Sequence, residues 1–276
     1  MSRPLHARWI LPVVLVVAGF AIWHQVRTLA FRSVAPGMEF ALLRGEPFCR
    51  RGSAAIAVLR VDPTITRLRV RHQGRGGRRS APPTVVEWQR ETGAPVVFNA
   101  GQYYPDFRYM GLLVSGGIKL SERLHPEFMA ALVASPNGGG PEARVLDLTR
   151  DSLDAKEPGW GEVAQSFMLF DTHGVTRVRR SDRVANRTAV AEDRHGRLLV
   201  FVTEGGYTLA DLSTLLQRFP LDLTHAMSMD GGLEAELVVA TRGFRYASFG
   251  AWPESGDANA PGASTPLPTV ITLEPR

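Results

Sequence analysis

One cysteine, Cys49, is the entire thiol content of the 276-residue sequence. No disulfide can form within the chain, and no cysteine cluster exists to hold a metal. Histidine is equally sparing of signals: none of the seven stands at metal-ligand spacing, and nothing suggests a histidine-centred triad. No metal or other cofactor is therefore expected. Acid is missing from "RLRVRHQGRGGRR" (Arg67 to Arg79), but Arg67, Arg69 and Arg71 alternate with Leu68 and Val70 as on the solvent face of a strand. Without a recognition-helix pattern or interleaved aromatics, that stretch reads as a solvated or anion-facing surface, not a nucleic-acid site. Also lacking are an internal repeat, a regular βα alternation and a linker across the middle. Those absences argue against a solenoid, a parallel α/β fold and two separate domains. What remains is an ordinary globular composition, 44% hydrophobic and 21% charged, with a net charge of +5 and a pI near 9.9.

Residues 1–32 stand apart. Arg3, His6 and Arg8 precede an apolar run from Trp9 to Trp23, which His24, Gln25 and Arg27 interrupt. Tryptophan at both ends suits the membrane interface, and the leading positive charges hold the N-terminus on the cytoplasmic side. The expected reading is an uncleaved signal anchor, a transmembrane segment that places the body in the periplasm or outside. Cleavage near Gly19-Phe20-Ala21 is the alternative, and it sends the body to the same side.

From about Glu39 the pattern is strand after strand. "AAIAVLRV" and "TRLRV" flank an Asp62-Pro63 turn, and "MGLLVSGGIKL" reads as a hairpin with Gly116 and Gly117 at its tip. "AQSFMLFDTHGVTRV" and "RTAVAEDRHGRLLVFVTEGG" read as strand–turn–strand units. Two helices are predicted, Pro83 to Gly93 and Thr208 to Phe219. The second carries a Leu209, Leu212, Leu215, Leu216 and Phe219 stripe behind a Thr208 cap. The expected fold is α+β: a single domain over residues 39–274, built on a mixed or antiparallel β-sheet with a few packing helices.

Several strands end in polar residues that a purely structural sheet does not need. Asn99, Gln102, Tyr103 and Tyr104 follow the strand "PVVFNAG" around Gly101. Gln165 and Ser166 open another strand, Asn186, Arg187 and Thr188 a third, and Glu204 closes a fourth. In "MSMDGG" a lone carboxylate, Asp230, stands before Gly231 and Gly232. Asp-Gly is first of all a hairpin signal. Glycine also lets a ligand approach the backbone, so Asp230 is expected both to begin a tight turn and to face a site.

"FNAGQY", "GLLVSGGIKL", "QSFMLF", "NRTAVAEDRHGRLLVFVTEGGYTLADLSTLL" and "MSMDGG" occur in the order and spacing of the phosphodiester glycosidase family, which the sequence resembles from about Glu39 to Leu273. Two departures stand out. The Gln-Ser-Gly-Pro form common in that family reads Gln165, Ser166, Phe167, Met168 here. The Ser-containing segment after Asp-Gly-Gly is replaced by Leu233, Glu234 and Ala235.

The resemblance implies cleavage of a sugar's anomeric carbon from a phosphodiester oxygen, on a phosphorylated sugar or envelope glycan. Such a reaction needs a cation on the phosphate, for which Arg187 offers a bidentate fork. It needs a carboxylate to steady positive charge at C1 or to activate water, a role open to Asp230 or Glu204. Asn99 and Gln165 suit sugar hydroxyls or an N-acetyl group, Ser166, Asn186 and Gly101 fall among the substrate-binding positions, Tyr103 or Tyr104 suits stacking on a pyranose, and the Gly231 and Gly232 N–H groups suit phosphate oxygens. The competing expectation is a non-catalytic glycan- or phosphate-binding protein of the same fold, in which Glu234 spoils the site.

Overall fold

The computed structural model describes residues 30–73, 81–139, 142–250 and 264–276. The expected membrane segment lies outside the described residues. Among those described, no helix is long and apolar enough to cross a membrane. Arg32–Arg276 forms one compact unit.

Among the described residues, two sheets make up that unit. The larger contains β1 (Arg32–Ala35), β2 (Met38–Arg44), β3 (Arg51–Val61), β6 (Leu113–Ser115), β7 (Ile118–Ser121) and β8 (Ala130–Pro136). It is completed by β9 (Ala143–Asp147), β10 (Trp160–Phe170), β11 (Arg187–Asp193), β12 (Leu198–Gly206) and β13 (Leu223–Gly231). Its order is β1-β2-β3-β12-β11-β13-β10-β6-β7, with β8 also paired to β10 and β9 to β8. The smaller holds β4 (Thr66–His72), β5 (Val96–Asn99), β14 (Leu237–Ala240), β15 (Arg245–Ser248) and β16 (Thr269–Pro275), in the order β15-β14-β5-β16-β4. Every pairing between these strands is antiparallel.

The expectation of one sheet, mixed or antiparallel, is therefore corrected to two antiparallel sheets with a shared core. Phe40, Leu59, Val200 and Met227 from the larger sheet pack with Val70, Phe98, Leu237 and Ile271 from the smaller in a single buried cluster. Strand alternation shows which residues turn inward; it says nothing about which sheet a strand joins.

Both helices form where expected. Thr84 and Glu87 make a reciprocal capping box for α1 (Val85–Thr92), and Gly93 stops it at φ 67° in the left-handed region. Thr208 caps α2 (Leu209–Arg218) by accepting from the Asp211 N–H, and Leu212, Leu215 and Leu216 are buried. Each such leucine contributes roughly 1.5–3 kcal/mol of burial free energy. Asp211 is held by both the Nε and Nη2 of Arg50, at 3.0 and 3.2 Å.

Two turn readings need correction. After β10, the second half of "AQSFMLFDTHGVTRV" forms no strand beyond a single bridge, Phe170 to Thr176. The Asp-Gly pair at 230–231 makes no hairpin, because β13 and β14 belong to different sheets. The chain leaves β13 through a short 3-10 turn, Gly232–Glu234, and crosses into the smaller sheet. A conversion between layers is built where the sequence alone suggests a simple reversal.

Candidate active site

Three strand ends meet at this crossing. Arg187, the first residue of β11, pairs with Gly231, the last of β13. Asn99, the last of β5, donates from Nδ2 to the Asp230 carbonyl at 3.0 Å, and the Asp230 N–H donates to the Ala100 carbonyl at 3.0 Å. Asp230 is thus stitched to both sheets by its own backbone. Its side chain sits on scaffold that cannot drift.

The glycines after it serve the backbone. Gly231 is extended, with φ −136° and ψ 178°, but a Cβ there would stand 2.8 Å from the Asn186 carbonyl and 3.3 Å from Arg187 Nη1. Gly232 has φ 81°, a left-handed conformation that other residues resist. Their N–H groups are already committed: Gly231 donates to Asp230 Oδ1 at 2.9 Å, and Gly232 to the Asn186 carbonyl at 2.9 Å. The reading in which these two N–H groups receive a phosphate is corrected accordingly.

Asp230 carries the strongest electrostatic signature of the site. Burial pushes its carboxyl up to about 7; the negative charge of Glu234 adds to the rise, while the Gly231 N–H, Arg183 and Arg187 oppose it. A carboxyl poised near neutrality can exchange a proton in either direction during a reaction.

Arg187 faces it from the neighbouring strand and is buried, at 8% exposure. Nε donates to the Tyr207 carbonyl at 2.9 Å and Nη2 to the Arg183 carbonyl at 2.7 Å. Nη1, the nitrogen nearest Gly231, makes no hydrogen bond to any described residue. Burial and the charge of Arg183 lower the guanidinium to about 10, which leaves it cationic at neutral pH. Its hydrogen bonds go to neutral carbonyls, and the charge of Asp230 favours its cationic form against burial.

Glu234 and Tyr103 close the arrangement. The Tyr103 hydroxyl donates to Glu234 Oε1 at 3.5 Å, and burial together with the charges of Glu234, Asp230 and Glu236 drives the phenol well above its ordinary range. Glu236 is fully buried and pushed up to about 7, chiefly by that burial. It accepts from Ser264 Oγ at 2.6 Å and the Thr265 N–H at 2.7 Å. Among the described residues no three His, Cys, Asp or Glu side chains are placed to hold a metal ion.

Several residues expected to touch substrate are instead spent on the fold. Asn99 uses both ends of its amide: Nδ2 donates to the Ala100 and Asp230 carbonyls, and Oδ1 accepts from Thr188 Oγ1 and the Glu236 N–H. Gln165 Oε1 accepts from the Leu112 and His125 N–H groups, and Nε2 donates to the His125 and Phe128 carbonyls. Ser166 donates to the Ser228 carbonyl at 2.6 Å. Gly101 leaves room for the Tyr109 hydroxyl, which would stand 2.4 Å from a Cβ there.

Asn186 donates from Nδ2 to the Thr203 carbonyl, while its buried Oδ1 has no partner among the described residues. Glu204 is committed away from Asp230, accepting from the Tyr246 hydroxyl at 2.6 Å and from Ser53 Oγ at 3.1 Å. That clasp ties β12 and β3 of the larger sheet to β15 of the smaller.

Tyr109, Arg183 and Glu236 join the site without a signal in the sequence. Glu234 was visible as an acid four residues after Asp230, but its contact with Tyr103 was not. A cleft of about 880 Å³ lies beyond, lined by Tyr104, Arg108, Tyr109, Leu120, Arg123 and His125 among others; Asp230, Arg187 and Glu234 do not line it.

The sequence of these elements, including the Arg187 strand and the Asp230 turn, fits the model of the phosphodiester glycosidase family over residues 92–273. The chain belongs to that family. Its fold is similar to the zebrafish N-acetylglucosamine-1-phosphodiester alpha-N-acetylglucosaminidase catalytic domain, solved auto-inhibited by its pro-peptide. That match has a TM-score of 0.62 and 16% identity, covering 89% of this chain and 86% of that one. A hypothetical protein from Synechocystis matches at TM-score 0.58 and 12% identity, with 90% and 64% of the two chains covered. A Burkholderia pseudomallei protein described as exported matches at TM-score 0.50 and 10% identity, with 83% and 76% covered. At these identities the structures speak for the fold alone. No match is found among curated proteins.

Proposed function

We propose that the chain is a hydrolase that releases a sugar from a sugar-1-phosphodiester, with Asp230 as general base and Arg187 as the phosphate-binding cation. The observation that carries this reading is the pairing of a carboxyl poised near neutrality with a buried guanidinium whose Nη1 is unspent. A phosphodiester oxygen departs as a stable anion, so the departing group needs little protonation. What the reaction does need is a nucleophile and a place for negative charge. Ionised Asp230 takes the proton of a water attacking C1, and Arg187 receives the phosphate. Glu204, Asn99, Gln165 and Ser166 act through the scaffold.

The family membership supports a hydrolase of this class. The alternative, a binding protein without catalysis, is favoured only by the altered segment after Gly232. Incubation of the purified chain with a panel of sugar-1-phosphodiesters separates the two. Free sugar is expected, and its absence across the panel would leave the binding reading.

The body is further proposed to act outside the cytoplasm, held to the membrane by residues 1–32, on the strength of the apolar run and its flanking charges. A periplasm-active reporter fused after Arg32 should be active and sediment with membranes. An inactive fusion would place the body on the wrong side, and a fully soluble active one would show cleavage.

A further inference from the structure

Glu234 has no part in the reaction proposed above, yet it stands four residues from the base and is charged. Among the described residues its Oε1 receives only the neutral Tyr103 phenol, at a distance of 3.5 Å, well beyond the usual O–H···O optimum near 2.8 Å. Its other oxygen, Oε2, lies 3.6 Å from where a Cβ on Gly232 would be, folded back over the 3-10 turn. The neighbouring carboxyls are otherwise engaged: Asp230 accepts from the Gly231 N–H, and Glu236 from Ser264 and Thr265. Arg187 and Arg183 both act on the base, but Arg187 is directed to the Tyr207 and Arg183 carbonyls and to the Gly231 side of the turn, and neither forms an ion pair with Glu234 among the described residues.

An extra carboxylate beside a phosphodiester site is a liability. Two like charges several ångströms apart in a half-desolvated setting repel by amounts that weaken binding. Glu234 stands within electrostatic reach of Asp230, Tyr103 and Glu236, each of which it helps to raise. A metal ion does not resolve the conflict, because the described acids are not arranged to hold one. A cation carried by the substrate does.

We infer that Glu234 is a specificity-determining residue that receives an ammonium group on the substrate, so that the preferred ligand is a zwitterionic phosphodiester, its phosphate on Arg187 and its amine on Glu234. For the phosphate half this rests on the hydrolase reading. The amine half rests on Glu234 itself, an acid beside the base that has no ion-pair partner among the described residues.

The test compares two near-isosteric probes, phosphoethanolamine and propyl phosphate, on the purified full chain by calorimetry. The unaltered protein should bind phosphoethanolamine about tenfold more tightly, the scale of one charge-assisted pair. Glu234→Gln keeps an acceptor for Tyr103 but removes the charge. It should erase the preference while leaving propyl phosphate binding equal or improved. Equal affinities in the unaltered protein, a preference that survives Glu234→Gln, or no binding of either probe would overturn the inference. Because the measurement needs no turnover, it separates the two claims. A binding preference without sugar release would keep the role of Glu234 and remove the hydrolase. Sugar release without a preference would do the reverse.

Discussion

Asp230→Asn should lose at least about a hundredfold in turnover, the low end for losing a general base, while its stability at pH 8 stays level or rises. The two halves have one cause. The folded carboxyl titrates near 7, against an ordinary value of 3.8, because burial and Glu234 disfavour its charge. Between about pH 4 and pH 7 the native state therefore holds a proton that the unfolded chain has released. Stability from this group is fully present below pH 4 and is lost as pH rises through 7. The loss is on the order of a few kcal/mol at most.

Asparagine has no proton to give up, so the variant should gain on the parent across that window and keep the gain above it. It also retains the turn, since Asn tolerates the same local geometry. For the parent, kcat/KM should climb with pH up to about 7 and then level, because the base acts ionised. Equilibrium denaturation and a pH–rate profile from 5 to 9 check both halves. A folded variant with full turnover would remove Asp230 from the chemistry. A profile that falls through pH 7 would reverse its role from base to acid.

Arg187→Lys is expected to cost both function and fold. Lysine keeps the charge, but its single ammonium cannot reproduce the planar fork that serves Tyr207, Arg183 and the site together. Loss of phosphate placement should lower kcat/KM by about a hundredfold. The Tyr207 carbonyl would lose its Nε donor and keep only the Ala185 N–H, at 3.2 Å, so the stability cost should be about 1 kcal/mol. Steady-state kinetics and denaturant titration on the same preparation read the two effects separately. A variant that loses stability but keeps kcat/KM would make Arg187 a structural brace and nothing more.

Much of the scaffold could be read from residue pattern. The Thr84–Glu87 box and the Thr208 cap announce their helices, and the alternation in Arg67 to Arg71 matches a strand whose Leu68 and Val70 are buried. Partnership between strands could not be read, because alternation fixes a face and not a neighbour. That is why the Asp230-Gly231 pair suggests a hairpin and instead carries the chain between sheets. Arg187 and Asp230, both singled out by pattern, do come to adjacent strand ends. The work of the amides was not legible: Asn99 and Gln165 look free in a sequence, and only the fold shows carbonyls, N–H groups and the Thr188 hydroxyl already filling every bond they can make. Glu204 differs again, since its partners Tyr246 and Ser53 lie far from it along the chain.

Isotope placement shows most directly which bond breaks. The chain should be allowed to hydrolyse a sugar-1-phosphodiester in water enriched in oxygen-18, with both products then weighed by mass spectrometry. Attack at the anomeric carbon, with Asp230 taking the water's proton, predicts the heavy oxygen in the released sugar and none in the phosphate. Heavy oxygen in the phosphate would mean attack at phosphorus, and it would contradict the glycosidase account.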